Sequence, residues 1–369
     1  MTQRSYTPSD ERLALADSAA RMLRERYAGH EASTFEHARW REFAELGWLA
    51  APFSEANGGL GLPWSTVSAV LESLAPAAPA EPLATQWAEV GWVLDAAAPN
   101  ALRDVQLAAW LAGERMLALA HGEDAAAPCR CTRVGEREVL SGRKTLVLDG
   151  GLAATLLVSA HDDEGRLAMF MVDADHAGVS VIARDSIDGR AHCDVVLDEV
   201  ALAADARLAF SRDLTEVLAD GQWLHAMLLA AESVGLLRAI VQSTHEYLVR
   251  RTQFGRPLIE MQVLQHRLVD MLLTLTRLES LLDVARCRSD ELGPRGAAPF
   301  IAAAKAACGD EGRAMARQAV QLHGAIGLTA ELALGRQLRR LMALEMLAGT
   351  SAEHRRHWCA TRAAADEFA

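Results

Sequence analysis

Leu264, Leu268, Met271, Leu275, Leu278 and Leu282 recur in alternating steps of four and three residues. That spacing places one apolar seam on one face of a long helix, and such a seam must be buried against other helices. Further long helical patterns cover 222–250, 297–325 and 330–347. From about 206 to the end, the sequence therefore predicts a four-helix bundle.

Upstream the apolar period shortens. Between about 116 and 202, runs rich in Val, Leu and Thr fall at 138–148, 155–159, 167–172, 179–183 and 194–201. Gly and Asp clusters such as Asp149-Gly150-Gly151 separate them. This predicts a small antiparallel barrel or sandwich. Before it, residues 8 to about 50 are helix-like, 51–63 is a Gly- and Pro-dense loop, and helical patterns return at 64–75, 83–97 and 101–111. Pro76, Pro79, Pro82 and Pro99 stand between those patterns. The expected fold is α+β, mostly α, with a helical domain at 1–115, a β domain at 116–205 and a helical bundle at 206–369.

Composition narrows the classes. The 369 residues are 51% hydrophobic and 23% charged, with a net charge of −12, so no basic face for nucleic acid is expected. The N-terminus lacks the apolar core of a signal peptide, and no uncharged apolar stretch of about 18 residues suggests a membrane span. The six cysteines form neither a disulfide framework nor paired zinc-ligand spacings, so free thiols in a reducing cytoplasm and no metal are expected. Lysine occurs only at Lys144 and Lys305, leaving 37 − 2 = 35 arginines, which reads as compositional bias.

Two segments carry unusual residue choices. Tyr247-Leu248-Val249-Arg250-Arg251-Thr252-Gln253-Phe254-Gly255-Arg256-Pro257-Leu258, followed by Gln262, joins two helices through a Gly-Pro turn. Arg251 suits bidentate pairing with a phosphate or carboxylate, Phe254 offers an apolar face and Gln253 an amide. A helix C-terminus stabilised by arginines explains the same residues on spacing alone. Gln321-Leu322-His323-Gly324-Ala325-Ile326-Gly327-Leu328-Thr329 places glycines where a backbone can approach a ligand, or where a helix simply ends. His323 by itself is a weak catalytic candidate.

Taken together, these segments and the terminal Ala348-Gly349-Thr350-Ser351 resemble the acyl-CoA dehydrogenase family. Leu140-Ser141-Gly142-Arg143-Lys144-Thr145 is similar to that family's middle-domain strand, and Asn57-Gly58-Gly59-Leu60-Gly61 to its N-terminal loop. The resemblance implies the helix, sheet, bundle order already read. It also implies FAD and an acyl-CoA substrate. In that chemistry a carboxylate takes the α-proton while the β-hydrogen leaves as hydride to the flavin. By the same resemblance, Arg251, Gln253, Phe254, Gln321 and Gly324 reach the adenine-diphosphate end of an FAD held mainly by a neighbouring subunit.

The sequence also departs from the family. The glutamate position of the last motif is Ala348, and the alternative position on the first bundle helix is His225, followed by Ala226. Glu345 and His225 are the remaining candidates for a base, Glu345 more readily read as solvent-facing or helix-pairing and His225 as structural. The usual flavin-ring contacts are replaced by Ala120-His121-Gly122-Glu123-Asp124 and by Leu146-Val147-Leu148. The resemblance is therefore to the glutamate-lacking subunit of a heteromeric acyl-CoA dehydrogenase. It implies a glutamate-bearing homologue as partner in a heterotetramer, and electron-transfer flavoprotein or a similar acceptor. Fatty-acid or steroid side-chain degradation is the expected context. A lyase or hydratase using His225 or Glu345, and a flavin-free acyl-CoA-binding scaffold, are the alternatives.

Overall fold

A computed structural model describes residues 9–27, 34–329 and 331–366. The chain forms two compact units. One combines α1 (Asp10–Arg26), the segment Pro63–Pro79 and the chain from Trp223 onward. The other combines Thr34–Leu62 with Ala80–Gln222.

In the second unit, α2 (His37–Glu45) is followed by the loop that the sequence placed at 51–63. The helical pattern at 83–97 is realised as the single turn α4 (Leu83–Thr85), a π-helical stretch Gln86–Gly91 and α5 (Trp92–Ala96). Helix α6 (Ala101–Leu111) starts on an Asn100 cap, whose side chain accepts the Arg103 amide.

Strand then replaces helix. The strands are β1 (Leu117–Ala120), β2 (Arg130–Val134), β3 (Arg137–Val147), β4 (Thr155–His161), β5 (Leu167–Asp173), β6 (Val179–Arg184), β7 (His192–Leu202) and β8 (Arg207–Leu208). They make one sheet in the order β6-β7-β3-β2-β4-β5-β8, with β1 attached to β4. Leu140, Leu156, Val158, Phe170, Val172, Val195 and Val200 meet in a closed apolar core, alternate residues of β4 and β5 pointing there and an irregularity in β7 between Leu197 and Val200 shifting its alternation. The sheet is not wholly antiparallel as expected, because β1 runs parallel to β4, pairing Leu117 with Thr155 through Ala120 with Val158. A parallel neighbour requires a long crossover, and the chain from β1 to β4 supplies it through the β2–β3 hairpin.

In the first unit, α1 packs on α3 (Trp64–Leu74) and α3 on α8 (Gln262–Gly296), while α8, α10 (Leu334–Met346) and α11 (Ser351–Asp366) pack on α9 (Ala298–His323); α7 (Leu214–Arg250) belongs to this unit from Trp223 onward. The predicted seam is buried at Leu268, Met271, Leu275, Leu278 and Leu282, and Leu264 is half-buried. Helix α7 is long and apolar enough to cross a membrane, but 89% of its apolar window is buried by the protein, as befits a central bundle helix.

Charged groups inside this unit are paired. Arg340 on α10 grips Glu232 on α7 with two bonds, 2.6 and 2.8 Å. Glu72 on α3 meets Arg12 at 2.6 Å, Arg238 at 3.3 Å and Arg286. Burial pushes the Glu72 carboxyl up, but Arg286, Arg12 and Arg238 outweigh it and hold the group below its ordinary value.

Candidate active site

Three places matter, and each lies within one unit. At the end of α7, the Arg251 amide still donates to Tyr247 at 2.9 Å, and the chain then turns back. Strand β9 (Thr252–Gln253) pairs with β10 (Arg256–Pro257) across the two-residue turn Phe254-Gly255. Both turn residues are left-handed, with φ of 53° and 80°, as a type I′ turn demands. Glycine suits that conformation, whereas phenylalanine is strained in it. Phe254 is nevertheless kept, 88% exposed, and the Arg251 guanidinium has no partner among the described residues. An aromatic ring held outward on a strained turn beside a free guanidinium is the form of a ligand-binding element. Phe254→Asn should relieve the strain and raise unfolding stability by about 1 kcal/mol, while flavin content falls. Denaturant midpoint and flavin absorbance measure the two effects.

At the end of α9, Gly324 caps the helix at φ 67°, donating its amide to Gln321 and Val320. A Cβ on Gly324 would meet nothing within 4 Å, so space is open beside this backbone. The Gln321 side chain is exposed. The two motif segments meet through Tyr247 and His323, whose rings stack with centroids 4.6 Å apart.

The last motif forms the turn between α10 and α11. Ala348 and Gly349 are both left-handed, with φ of 51° and 94°. Polar groups fix the turn from several sides. His354 Nε2 lies 2.9 Å from the Ala348 carbonyl, so that nitrogen carries the hydrogen. Lys305 Nζ donates to the carbonyls of Leu344 (2.8 Å) and Gly349 (3.2 Å). Burial pushes the Lys305 ammonium down to about 8, and nearby Glu345 only partly offsets that. Thr350 and Glu353 exchange backbone-to-side-chain bonds in a capping box that starts α11.

Glu345 is not solvent-facing. It is buried, accepting the Ser351 amide at 3.0 Å and the Ser351 hydroxyl at 2.6 Å. It fits only because residue 309 is glycine, since a Cβ there would stand 1.7 Å from its Oε2. The sequence hides this because Gly309 belongs to another helix. His225 is 1% exposed in the middle of α7 and already engaged in an interaction. Neither side chain faces open space.

The third place is the end of β3. The β3–β7 ladder is irregular between Lys144 and Val147, and Leu146 sits at φ 50°. Its amide donates to Asp194 at 3.1 Å, and Arg143 and Arg184 pair with the same carboxylate. Hydrogen bonds from those guanidiniums hold Asp194 well below the usual carboxylate range. The Thr145 amide donates to Gly122 at 2.7 Å. Leu148 is buried and brings no polar side-chain atom. Lys144, with no exposure at all, pairs with Glu123 and donates to Ser159 at 3.1 Å, while His121 Nδ1 lies 2.8 Å from the same hydroxyl. Burial holds the His121 imidazole below its ordinary value, with the Lys144 charge adding to the effect. This cluster escaped the sequence reading. Its signal was present, since an arginine-rich chain keeps lysine at only two positions and both are buried. A compact ammonium fits such pockets where a guanidinium does not. Among the described residues, no group of His, Cys, Asp and Glu is arranged to hold a metal ion.

The models of the acyl-CoA dehydrogenase N-terminal and C-terminal domains match residues 9–114 and 224–361. The chain belongs to the acyl-CoA dehydrogenase family. Among its relatives, a mitochondrial 2-methylacyl-CoA dehydrogenase of Solanum tuberosum is 30% identical over 60% of this chain and 55% of its own. The match thus spans little more than half of that relative. A mitochondrial isovaleryl-CoA dehydrogenase of Arabidopsis thaliana is 27% identical over 85% of this chain and 80% of its own. A chain of the ChsE4-ChsE5 complex from Mycobacterium tuberculosis shares the fold, with a TM-score of 0.87, 24% identity and coverage of 98% and 99%.

Acyl-CoA dehydrogenases are oxidoreductases, and FAD is the cofactor that membership assigns to this chain. The residues fit that group unevenly. The open space beside Gly324, the outward Phe254 and the Arg251 guanidinium, which has no partner among the described residues, suit its nucleotide end. At the end of β3, the amides of Thr145 and Leu146 are taken by Gly122 and Asp194, and the Leu148 side chain has no hydrogen-bonding group for a flavin ring.

Proposed function

We propose that this chain is the glutamate-lacking subunit of a two-component, FAD-dependent acyl-CoA dehydrogenase. The observation that carries the reading is the unevenness of the FAD fit. The side chains of Arg251, Gln253 and Gln321, which suit the nucleotide end, have no partner among the described residues, while the amides of Thr145 and Leu146 near the ring position are consumed internally. Arg251, Gln253, Phe254, Gln321 and Gly324 then complete the adenine-diphosphate end of a flavin whose ring rests on a partner. The partner is a homologue that carries the glutamate. Its carboxylate would take the α-proton of an acyl-CoA, and FAD, when bound, would supply the acceptor for the β-hydrogen, so that the product is the α,β-enoyl thioester. Electron-transfer flavoprotein or a similar protein would be the electron acceptor. A fold shared with a chain of a two-component complex supports this assembly. The buried positions of His225 and Glu345 give no support to a lyase or hydratase reading.

A bulky, branched or dicarboxylic acyl chain, from fatty-acid or steroid side-chain degradation, is the proposed substrate class. The cysteines are all free thiols, which supports a cytoplasmic setting. The deciding experiment purifies the chain alone and co-expressed with a glutamate-bearing homologue. The lone chain is expected to be colourless and inactive, and the pair yellow and able to oxidise acyl-CoA. A yellow, active lone chain overturns the two-component reading.

A further inference from the structure

Two aromatic side chains outside the proposed contact set join its halves. Tyr247 stands four residues before Arg251 near the end of α7, and His323 is the last residue of α9, immediately before Gly324. Their rings are stacked, with planes 26° apart and centroids at 4.6 Å. His323 is buried, and its Nδ1 lies 2.9 Å from the Ala319 carbonyl. A carbonyl only accepts, so Nδ1 carries the hydrogen, and that bond fixes the ring on α9. The hairpin on the other side is closed by few bonds, one of them the Leu258 amide donating to the Arg251 carbonyl at 2.8 Å. Its strands are two residues each, and a short isolated ribbon is marginal in water. The neighbouring ion pair, Arg250 with Glu246, is exposed and contributes little.

We propose that the Tyr247–His323 stack is a positioning element that sets the Arg251–Phe254 hairpin against the Gly324 cap, and so shapes the seat offered to adenosine diphosphate. This inference rests on reading those segments as contacts for the nucleotide end of FAD. Stacked rings fix both distance and tilt, so losing one ring lets the end of α7 drift while both helices remain folded.

The test titrates FAD and ADP into the full chain in its native assembly, with the thermal midpoint measured for each variant. Tyr247→Leu and His323→Gln are each expected to weaken both nucleotides about tenfold, whereas Tyr247→Phe, which keeps the ring, stays within about twofold. The double variant should lose no more than either single one, because both remove the same contact. Wild-type affinity in Tyr247→Leu and His323→Gln overturns the positioning role, and so do losses that multiply in the double variant. Arg251→Ala separates this inference from the reading beneath it. Unchanged affinity in Arg251→Ala, or a wild type that binds neither nucleotide, overturns the nucleotide-end reading and the inference with it. Weakened Arg251→Ala beside unaffected ring variants overturns the positioning role alone.

Discussion

Arg251→Ala should lower the flavin affinity of the assembled protein about ten- to a hundredfold, because a hydrogen-bonded ion pair with a phosphate contributes roughly 1.5–3 kcal/mol. The wild-type guanidinium follows the last turn of α7, is exposed and has no acid to neutralise it among the described residues. Removing it therefore breaks no internal pair, and the thermal midpoint of the flavin-free protein should barely change. Arg251→Lys should recover only part of the loss, since an ammonium keeps the charge but not the two-pronged geometry. Flavin content and acyl-CoA oxidation should fall together, since the residue acts on cofactor occupancy and not on proton abstraction. Normal flavin content with reduced turnover would place Arg251 at the reacting end of the site instead. Raising salt should weaken the wild type more than Arg251→Ala, because part of the attraction is between partly solvated charges.

The fold was legible where the residues repeat on their own element. The Val- and Leu-rich runs at 138–148, 155–159 and 167–172 became β3, β4 and β5 nearly residue for residue. The seam of α8 was readable because a 3.6-residue turn sorts a helix into faces. Strand β1 was not readable. Leu-Ala-Leu-Ala is apolar on both sides and rich in a good helix former, and its parallel partner β4 lies far along the chain. In the site, the turns around Arg251 and Gly324 drew notice because their residue choices are unusual and together resemble the motifs of the family. The surroundings of Glu345 and Lys144 drew none. Each depends on a residue from another element, Gly309 in one case and Glu123 in the other, and no local pattern encodes such a meeting.

Glu72→Ala should destabilise the protein by about 3–5 kcal/mol, the range for removing one partner from a buried ion pair. Arg12 from α1 and Arg286 from α8 are both buried and share the Glu72 Oε1 oxygen, while half-exposed Arg238 from α7 reaches the other. Without the carboxylate, three guanidiniums face one another. Arg238 keeps Glu279 and Arg286 keeps Asp283, but both acids are partly solvated and compensate only in part. The same carboxylate makes the protein acid-sensitive. Its folded-state value lies below the unfolded value of about 4.3, so its stabilisation is complete above that pH. It is lost as the pH falls through the folded value, where the folded chain must take up a proton beside three cations. The Glu72→Ala midpoint should accordingly depend less on pH in this acid range than the wild-type midpoint. The comparison that separates pairing from packing is Arg286→Met. In the wild type it should cost several kcal/mol less than Glu72→Ala, because Arg12 and Arg238 still neutralise the carboxylate. Made on top of Glu72→Leu, it should restore stability, because an apolar contact replaces an unpaired buried charge. If Arg286→Met deepens the loss in that background, the three arginines act through packing and not through Glu72.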